Sequence, residues 1–330
     1  MKFLRGFTDL PIELFHAGPL EMPEKVSRML EREFAPIAVR DITEPALRKR
    51  YPFLRISNFR GVQIKPFAIL HSSFEEILYI DADNIPLQSP EPLFTSEEYL
   101  CGGAIFWPDL DRTKGTTEEL FRVFGMGSSS LKSDFEFESG QIVLDKRRCW
   151  KALLTVCLAN SDTSHFRDYC YRHTNGDKDT FRLAFQFAEQ SYHLVTRPSV
   201  PVGSLFHLIP ILNSGFTIKI PYKSGSFYAT GMLQFDFQGC PLFLHKTVME
   251  WDIYLQLNNL GQVEEPNGRG RPLKLLKDVE DAGHLYLKDF KERYLGAFGN
   301  NYRMRLRAMA ARLIISVLDR IHPGNSGKPS

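Results

Sequence analysis

The stretch Glu75-Glu76-Ile77-Leu78-Tyr79-Ile80-Asp81-Ala82-Asp83-Asn84 decides the fold. Ile77 to Ile80 is a short apolar run rich in β-formers and reads as a buried strand. It ends abruptly in two carboxylates, one residue apart. Asp81 and Asp83 therefore sit at or just beyond the carboxyl end of a strand, where open α/β sheets bind ligands. Residues i and i+2 of an extended segment share a side, so both carboxylates can converge on one hard cation. The plain alternative is a solvated strand end with a capping role, because a D-x-D string occurs often by chance. An EF-hand is excluded: the loop's glycine and its closing glutamate are absent.

Working outward, Leu10 to His16 reads as an early strand and Glu21 to Phe34 as a charged helix. Lys65 to Leu70 reads as a helix leading into the strand at Ile77. A Pro-rich turn follows through Pro86, Pro90 and Pro92. Leu100 to Phe106 reads as a strand whose glycines permit close backbone approach. Asp111 to Ser133 is polar and reads as a helix plus loop. Ser139 to Leu144 is a further strand, and Lys146 to Leu158 has helical spacing. Gly176 to Thr180 opens a helix over Phe181 to Gln190, with Asp179 or Thr180 suited to cap it. Short strands are expected near Tyr192 to Thr196, Phe216 to Ile220, Gly231 to Phe235 and Leu242 to Leu244. Alternating strands and helices, with strands clustered late, indicate an α/β fold with a mixed sheet. The expected organisation is a catalytic domain over 1–252, a Gly/Pro/charge-rich linker over 253–273 and a helical C-terminal extension over 274–330.

The bulk numbers narrow the function classes. The chain has 330 residues, 43% of them apolar and 24% charged, an ordinary globular balance. A net charge of +2 gives no electrostatic case for nucleic acid. The five cysteines include no C-x-x-C pair, which argues against a zinc ribbon or a thioredoxin-like site. No segment approaches the roughly 20 apolar residues of a membrane span. The N-terminus is too short in apolar content for a signal peptide.

Four further elements carry chemistry. Leu242 to Lys246 is an apolar strand ending in His-Lys. Its histidine is either a core residue or a third ligand beside Asp81 and Asp83, and Lys246 can neutralise phosphate. Phe137 to Gln141 is either a loop entering a strand, with Gly140 for tight packing, or a set of hydroxyl-binding side chains: Glu138, Ser139 and Gln141. Gly176-Asp177-Lys178-Asp179 is either a helix start favoured by acidic residues or the place of a carboxylate beside a reacting sugar carbon. Lys65 opens the helix ahead of the D-x-D strand.

The ordered set KPFAILHSSFEEILYIDADNIP, GAIFWPD, ESGQIVLDK, GDKDTFRLAF and GMLQFDFQGCPLFLHK resembles the fungal Golgi α-mannosyltransferases that extend mannan and branched mannose chains. The resemblance spans about Leu10 to Trp251. It implies a GT-A-like, Rossmann-type mixed sheet flanked by helices, with GDP-mannose as donor, Mn2+ or Mg2+ as cofactor, and retention at the anomeric carbon. By position, it implies Asp81 and Asp83 as the metal motif and His245 as third ligand. Lys65 and Lys246 fall at phosphate contacts. Asn84, Glu138, Ser139 and Gln141 fall at donor-sugar contacts, and Asp177 and Asp179 at the reaction centre. The implied partners are a nucleotide-sugar donor and a mannose-containing glycan or glycoprotein acceptor, in the Golgi lumen or membrane, within a transferase complex.

In that family a strand and a glycine-containing loop precede the LPIE segment, with a membrane anchor further upstream. This chain starts almost at LPIE, so the first nucleotide-binding strand is expected to be missing. Two other readings stand beside the first: a retaining hexosyltransferase using a UDP-sugar, and a truncated, non-catalytic glycan-binding remnant. The basic and apolar segment Arg303 to Ile321 reads as a helix packed on the catalytic domain, or as a membrane-surface helix.

Overall fold

The computed structural model describes residues 1–56, 61–113, 115–126, 135–210, 217–221, 226–246, 262–264 and 269–294. In chain order, α1 (Lys2–Arg5), β1 (Ile12–His16), α2 (Glu24–Glu33), β2 (Ile37–Asp41), α3 (Pro45–Arg50) and α4 (Ile64–His71) lead to β3 (Glu76–Ile80) and β4 (Asn84–Pro86). Then come α5 (Glu97–Gly102), β5 (Ala104–Arg112), α6 (Gly115–Val123), β6 (Phe135–Asp145), α7 (Trp150–Ala159), α8 (Phe166–His173) and α9 (Lys178–Phe187). The chain continues through β7 (His193–Leu194), β8 (Val200–Pro210), β9 (Thr217–Pro221), β10 (Ser226–Phe235) and β11 (Pro241–His245). It ends, among the described residues, with β12 (Gln262–Glu264), β13 (Gly270–Pro272) and α10 (Lys274–Tyr294).

Two compact units result: Met1–Ser199 with Leu233–His245, and Val200–Met232 with Lys246–Ser330. The first is mixed α/β. β1 and β2 pair in parallel, joined by α2, which buries Val26, Met29 and Leu30 along one stripe. A second sheet has the order β3-β6-β5-β7. In it β6 runs antiparallel to β3 and β5, and β7 runs parallel to β5.

Both faces of this second sheet are covered, which explains why its strands read as continuous apolar runs rather than alternating ones. Ala104, Phe106, Phe137, Ile142 and Leu144 meet Phe67 and Ile69 of α4, Leu153 and Val156 of α7, and Phe181 and Phe185 of α9. Ile105, Trp107 and Val143 point the other way, toward Leu93, Leu242 and Phe243. Phe106 is fully buried, with ring centroids of Phe137 and Phe185 at 4.8 and 5.0 Å. Truncating such a ring to alanine costs about 3–5 kcal/mol.

Three local readings shift. Leu100 to Gly102 close α5 instead of opening a strand. Ser96 caps that helix by accepting the Tyr99 N–H, and Gly103 ends it in the left-handed region at φ 73°. The strand therefore begins at Ala104. The helix expected from Phe181 starts one turn earlier, at Lys178, with Asp177 at its cap. Asp179 thus lies inside the helix.

The second unit holds β8 antiparallel to β9 and to β12, with β12 antiparallel to β13. Gln262–Glu264 and Gly270–Pro272, within the segment expected to be a linker, are therefore paired strands. α10 covers the first expected helix of the C-terminal extension, and Arg303 to Ile321 lie outside the described residues. No helix among the described residues is long and apolar enough to cross a membrane.

Candidate active site

The site grows from the period of β3. Ile77 and Tyr79 face the helix side of the sheet, and two-residue alternation puts Asp81 on that side too. There the Tyr79 hydroxyl donates to Asp81 Oδ1 at 2.6 Å, and Lys65 Nζ on α4 donates to Oδ2 at 3.1 Å. Both oxygens of Asp81 are thus oriented before any ligand arrives. The chain then turns: the Asp81 N–H bonds the Gly140 carbonyl on β6, and the Asn84 N–H bonds the Asp81 carbonyl.

β4 follows this turn and pairs antiparallel with β11, with His245 opposite Asn84. That register carries the imidazole to the D-x-D. Its Nε2 lies 3.2 Å from Asp83 Oδ1 and 3.9 Å from Asp81 Oδ2. One ligand atom from each of Asp81, Asp83 and His245 can be chosen so that all lie within 4.8 Å of one another. Two carboxylate oxygens and one imidazole nitrogen suit a hard-to-borderline divalent cation such as manganese or magnesium. The ring rests directly on Gly140: a Cβ there would lie 2.3 Å from His245 Cε1 and 2.4 Å from Nδ1. Only glycine admits the imidazole at this position.

Burial would lower the His245 pKa, but Asp83 and Glu138 outweigh it and push it up to about 9. A cation bound through Nε2 must therefore displace a proton.

Lys65 is 4% exposed. Besides Asp81 it reaches Ser139 Oγ at 2.8 Å and Asp177 Oδ2 at 3.5 Å. Burial opposes its charge, yet Asp177, Asp81 and Glu138 together raise its pKa above the ordinary lysine value. Asp177 is also buried. Burial raises its pKa most, Lys65 opposes this, and Asp81 adds to it. Among the described residues its Oδ2 has the Lys65 ion pair but no hydrogen-bond partner.

The other expected residues divide. Ser139 joins the Lys65 cluster. Asn84 and Gln141 hold each other, Nδ2 to Oε1 at 2.5 Å, and Asn84 also donates to the Gly140 carbonyl at 3.1 Å. These two are buried and tie β4 to β6. Glu138 is 1% exposed and its Oε1 accepts the N–H groups of Ser139 and Gly140 at 3.0 and 2.8 Å.

Asp179 stands apart from the cluster. Its carboxylate accepts the Phe137 N–H at 3.4 Å and lies 3.9 Å from Arg182. It is fully buried in the first turn of α9. Lys246 is buried and belongs to the second unit.

Tyr79, Asp109 and Lys178 were not marked as site residues by sequence reasoning. The Tyr79-x-Asp81 spacing could have flagged the first. Lys178 Nζ bonds Asp109 Oδ2 at 2.6 Å and lies 3.4 Å from Glu138 Oε2. Glu138 and Asp109 raise its pKa against burial. No local signal in the sequence announces that contact.

Comparison with known proteins finds mannosyltransferase relatives. The α-1,2-mannosyltransferase MNN21 of Candida albicans is 28% identical over 217 residues, covering 54% of this chain and 30% of that protein. The α-1,2-mannosyltransferase MNN2 of Saccharomyces cerevisiae is 29% identical over 182 residues, covering 43% of this chain and 30% of that protein. The matched stretch thus spans about a third of these relatives' length. Among solved structures, mouse xyloside xylosyltransferase 1 aligns with a TM-score of 0.40 and 15% identity, over 58% of this chain and 76% of that one. A family model described as "Mannosyltransferase putative" matches residues 2–136 and 126–236. With well over half its length matched, this chain belongs to that mannosyltransferase family.

Proposed function

We propose that this chain transfers mannose from GDP-mannose to a hydroxyl of a mannose-containing glycan or glycoprotein, with retention at the anomeric carbon, in the Golgi. The observation that carries the reading is the meeting of the Asp81–Asp83–His245 donor set with the buried Lys65–Asp177 pair in one unit. Family membership supports mannose as the sugar. GDP, the acceptor and the compartment belong to the proposal.

A divalent cation held by Asp81, Asp83 and His245 would supply the positive charge that a departing diphosphate requires, in place of a general acid. The chain's own residues do the rest. Lys65 places a second, fixed positive charge 3.1 Å from the Asp81 carboxylate. Tyr79 and Lys65 hold Asp81 in one orientation, so no reorganisation is needed when the donor binds. Asp177 is the carboxylate assigned to the anomeric carbon, where it stabilises developing positive charge. Lys65 opposes the rise in its pKa that burial causes.

The test is calorimetric titration of GDP, GDP-mannose, UDP and UDP-glucose, each with manganese and with chelator. Manganese-dependent GDP binding that is lost in Asp81→Ala and Asp83→Ala is the expected result. Binding of UDP in place of GDP overturns the donor assignment. A folded protein that binds no nucleotide overturns the catalytic reading.

A further inference from the structure

Glu138 falls where the family resemblance expects a contact to the donor sugar, yet its surroundings suit another task. It is 1% exposed, on β6, two residues before the glycine on which the His245 ring rests. Its Oε1 is fixed by two backbone N–H groups, of Ser139 and Gly140, and lies 3.4 Å from His245 Nδ1. That Nδ1 is buried and has no hydrogen-bond partner among the described residues. The opposite ring nitrogen faces Asp83 and Asp81. Behind Glu138, Lys178 lies 3.4 Å from Oε2 and is itself bonded to the buried Asp109 at 2.6 Å. Asp109 Oδ1 in turn accepts the Leu110 N–H at 2.7 Å.

A histidine that ligates a metal through one nitrogen ordinarily donates its other N–H to a carboxylate, which fixes the tautomer and the ring's direction. Glu138 is the carboxylate within reach of the other nitrogen here. Its Oε1 is already committed to two backbone N–H groups and lies beside the histidine.

We propose that Glu138 is the positioning residue of His245, not a sugar contact. It holds the proton on Nδ1 and leaves the Nε2 lone pair aimed between Asp81 and Asp83. Lys178, itself bonded to Asp109, holds Glu138 in place, and Gly140 is the seat of the ring. The chain of contacts runs Asp109–Lys178–Glu138–His245. This inference rests on the metal reading of the Asp81–Asp83–His245 cluster, and it gives the Glu-x-Gly spacing on β6 a physical reason.

The experiment is manganese titration of the full chain without nucleotide, read by the paramagnetic resonance of free Mn2+. It compares the parent protein, Glu138→Gln, His245→Ala and the double variant, each with a thermal melt to confirm folding. Loss of such a supporting contact lowers metal affinity about 10–100-fold, and that loss is expected for Glu138→Gln. A residue that acts through His245 adds nothing once the histidine is gone, so the double variant should bind manganese no more weakly than His245→Ala alone. A folded Glu138→Gln protein with unchanged manganese affinity, but with weaker binding of GDP-mannose than of GDP, overturns the proposal in favour of a sugar contact. Equal additional loss in the double variant overturns it as well. Should the parent protein bind no manganese, the metal reading itself falls and takes this inference with it, a result distinct from binding that ignores Glu138. Where Glu138→Gln fails to fold, Lys178→Met supplies the same test one contact further back, and manganese affinity equal to the parent's then overturns the proposal.

Discussion

Asp177 and Asp179 stand two residues apart at the start of one helix and have opposite surroundings. Asp177 sits at the cap, 3.5 Å from Lys65, in the cluster that includes Asp81. Asp179 lies inside the first turn, against the Phe137 N–H and Arg182. Lys178 between them takes a third direction, toward Asp109 and Glu138. Each step along a helix turns about 100°, so three consecutive charged residues serve three separate networks. A carboxylate's burial does not by itself mark chemistry. What separates the two is the partner: a buried lysine shared with Asp81 for one, a helix-internal arginine and a sheet amide for the other.

The sharpest way to break this comparison is to neutralise each carboxylate in turn. Asp177→Asn keeps the shape and removes the charge proposed to face the anomeric carbon. Loss of one preorganised electrostatic group of this kind costs about 10²–10³-fold in turnover. Asp179→Asn, measured in the same assay with GDP-mannose and a manno-oligosaccharide, should stay within several-fold of the parent. Similar losses from both, with folding intact, would dissolve the distinction.

The next test concerns the seat of the histidine. In Gly140→Ala the new methyl would lie 2.3 Å from the His245 ring, so the ring or the strand must move. Overpacking of this kind costs about 1–3 kcal/mol of stability. Manganese affinity should fall with it, because Nε2 no longer points between the two carboxylates. A variant with the parent's melting temperature and manganese affinity would show that the imidazole does not rest on Gly140.

The parts of the site that were legible in the sequence are those set by local pattern. The strand into Asp81, the one-residue spacing to Asp83 and the apolar run ending in His245 follow from alternation and from where polar residues interrupt it. The rest depended on register or on distant contacts. Placing the helix start at Phe181 made Asp179 a cap. Starting it at Lys178 gives that position to Asp177, and the faces rotate accordingly. Glu138, Asn84 and Gln141 look like free polar groups in a linear reading. Their partners come from strands or helices tens of residues away, and those partners are what remove them from solvent. β8 shows the same limit in the second unit: Pro201 and Gly203 argue against a strand. Gly203 is needed there because a Cβ would lie 1.9 Å from the Tyr228 carbonyl. The close approach lies outside any window of local sequence.

The smallest expected effect is a pH dependence at Asp179. Burial raises its pKa most, and Glu136 adds to this. Arg182 and the Phe137 N–H oppose them, and the net result is a pKa of about 7 against an ordinary 3.8. The folded state therefore favours the protonated form. A group whose folded pKa lies above its unfolded one contributes stability that is fully present below the unfolded value and is lost as pH rises through the folded value. For Asp179 that window runs from about pH 4 to about pH 7. Asparagine mimics the neutral acid and cannot ionise. Asp179→Asn should match the parent near the bottom of this window and exceed it in stability above the top. Urea denaturation of both proteins across that range measures the difference directly. The gap should widen between the two ends of this window, where the unfolded parent releases the proton that the folded parent still holds, and level off above the upper one. A gap that stays constant would mean that Asp179 is ionised throughout and that Arg182 compensates it fully. A gap of the opposite sign would place Asp179 among the carboxylates that stabilise the fold by being charged, and would remove the contrast with Asp177.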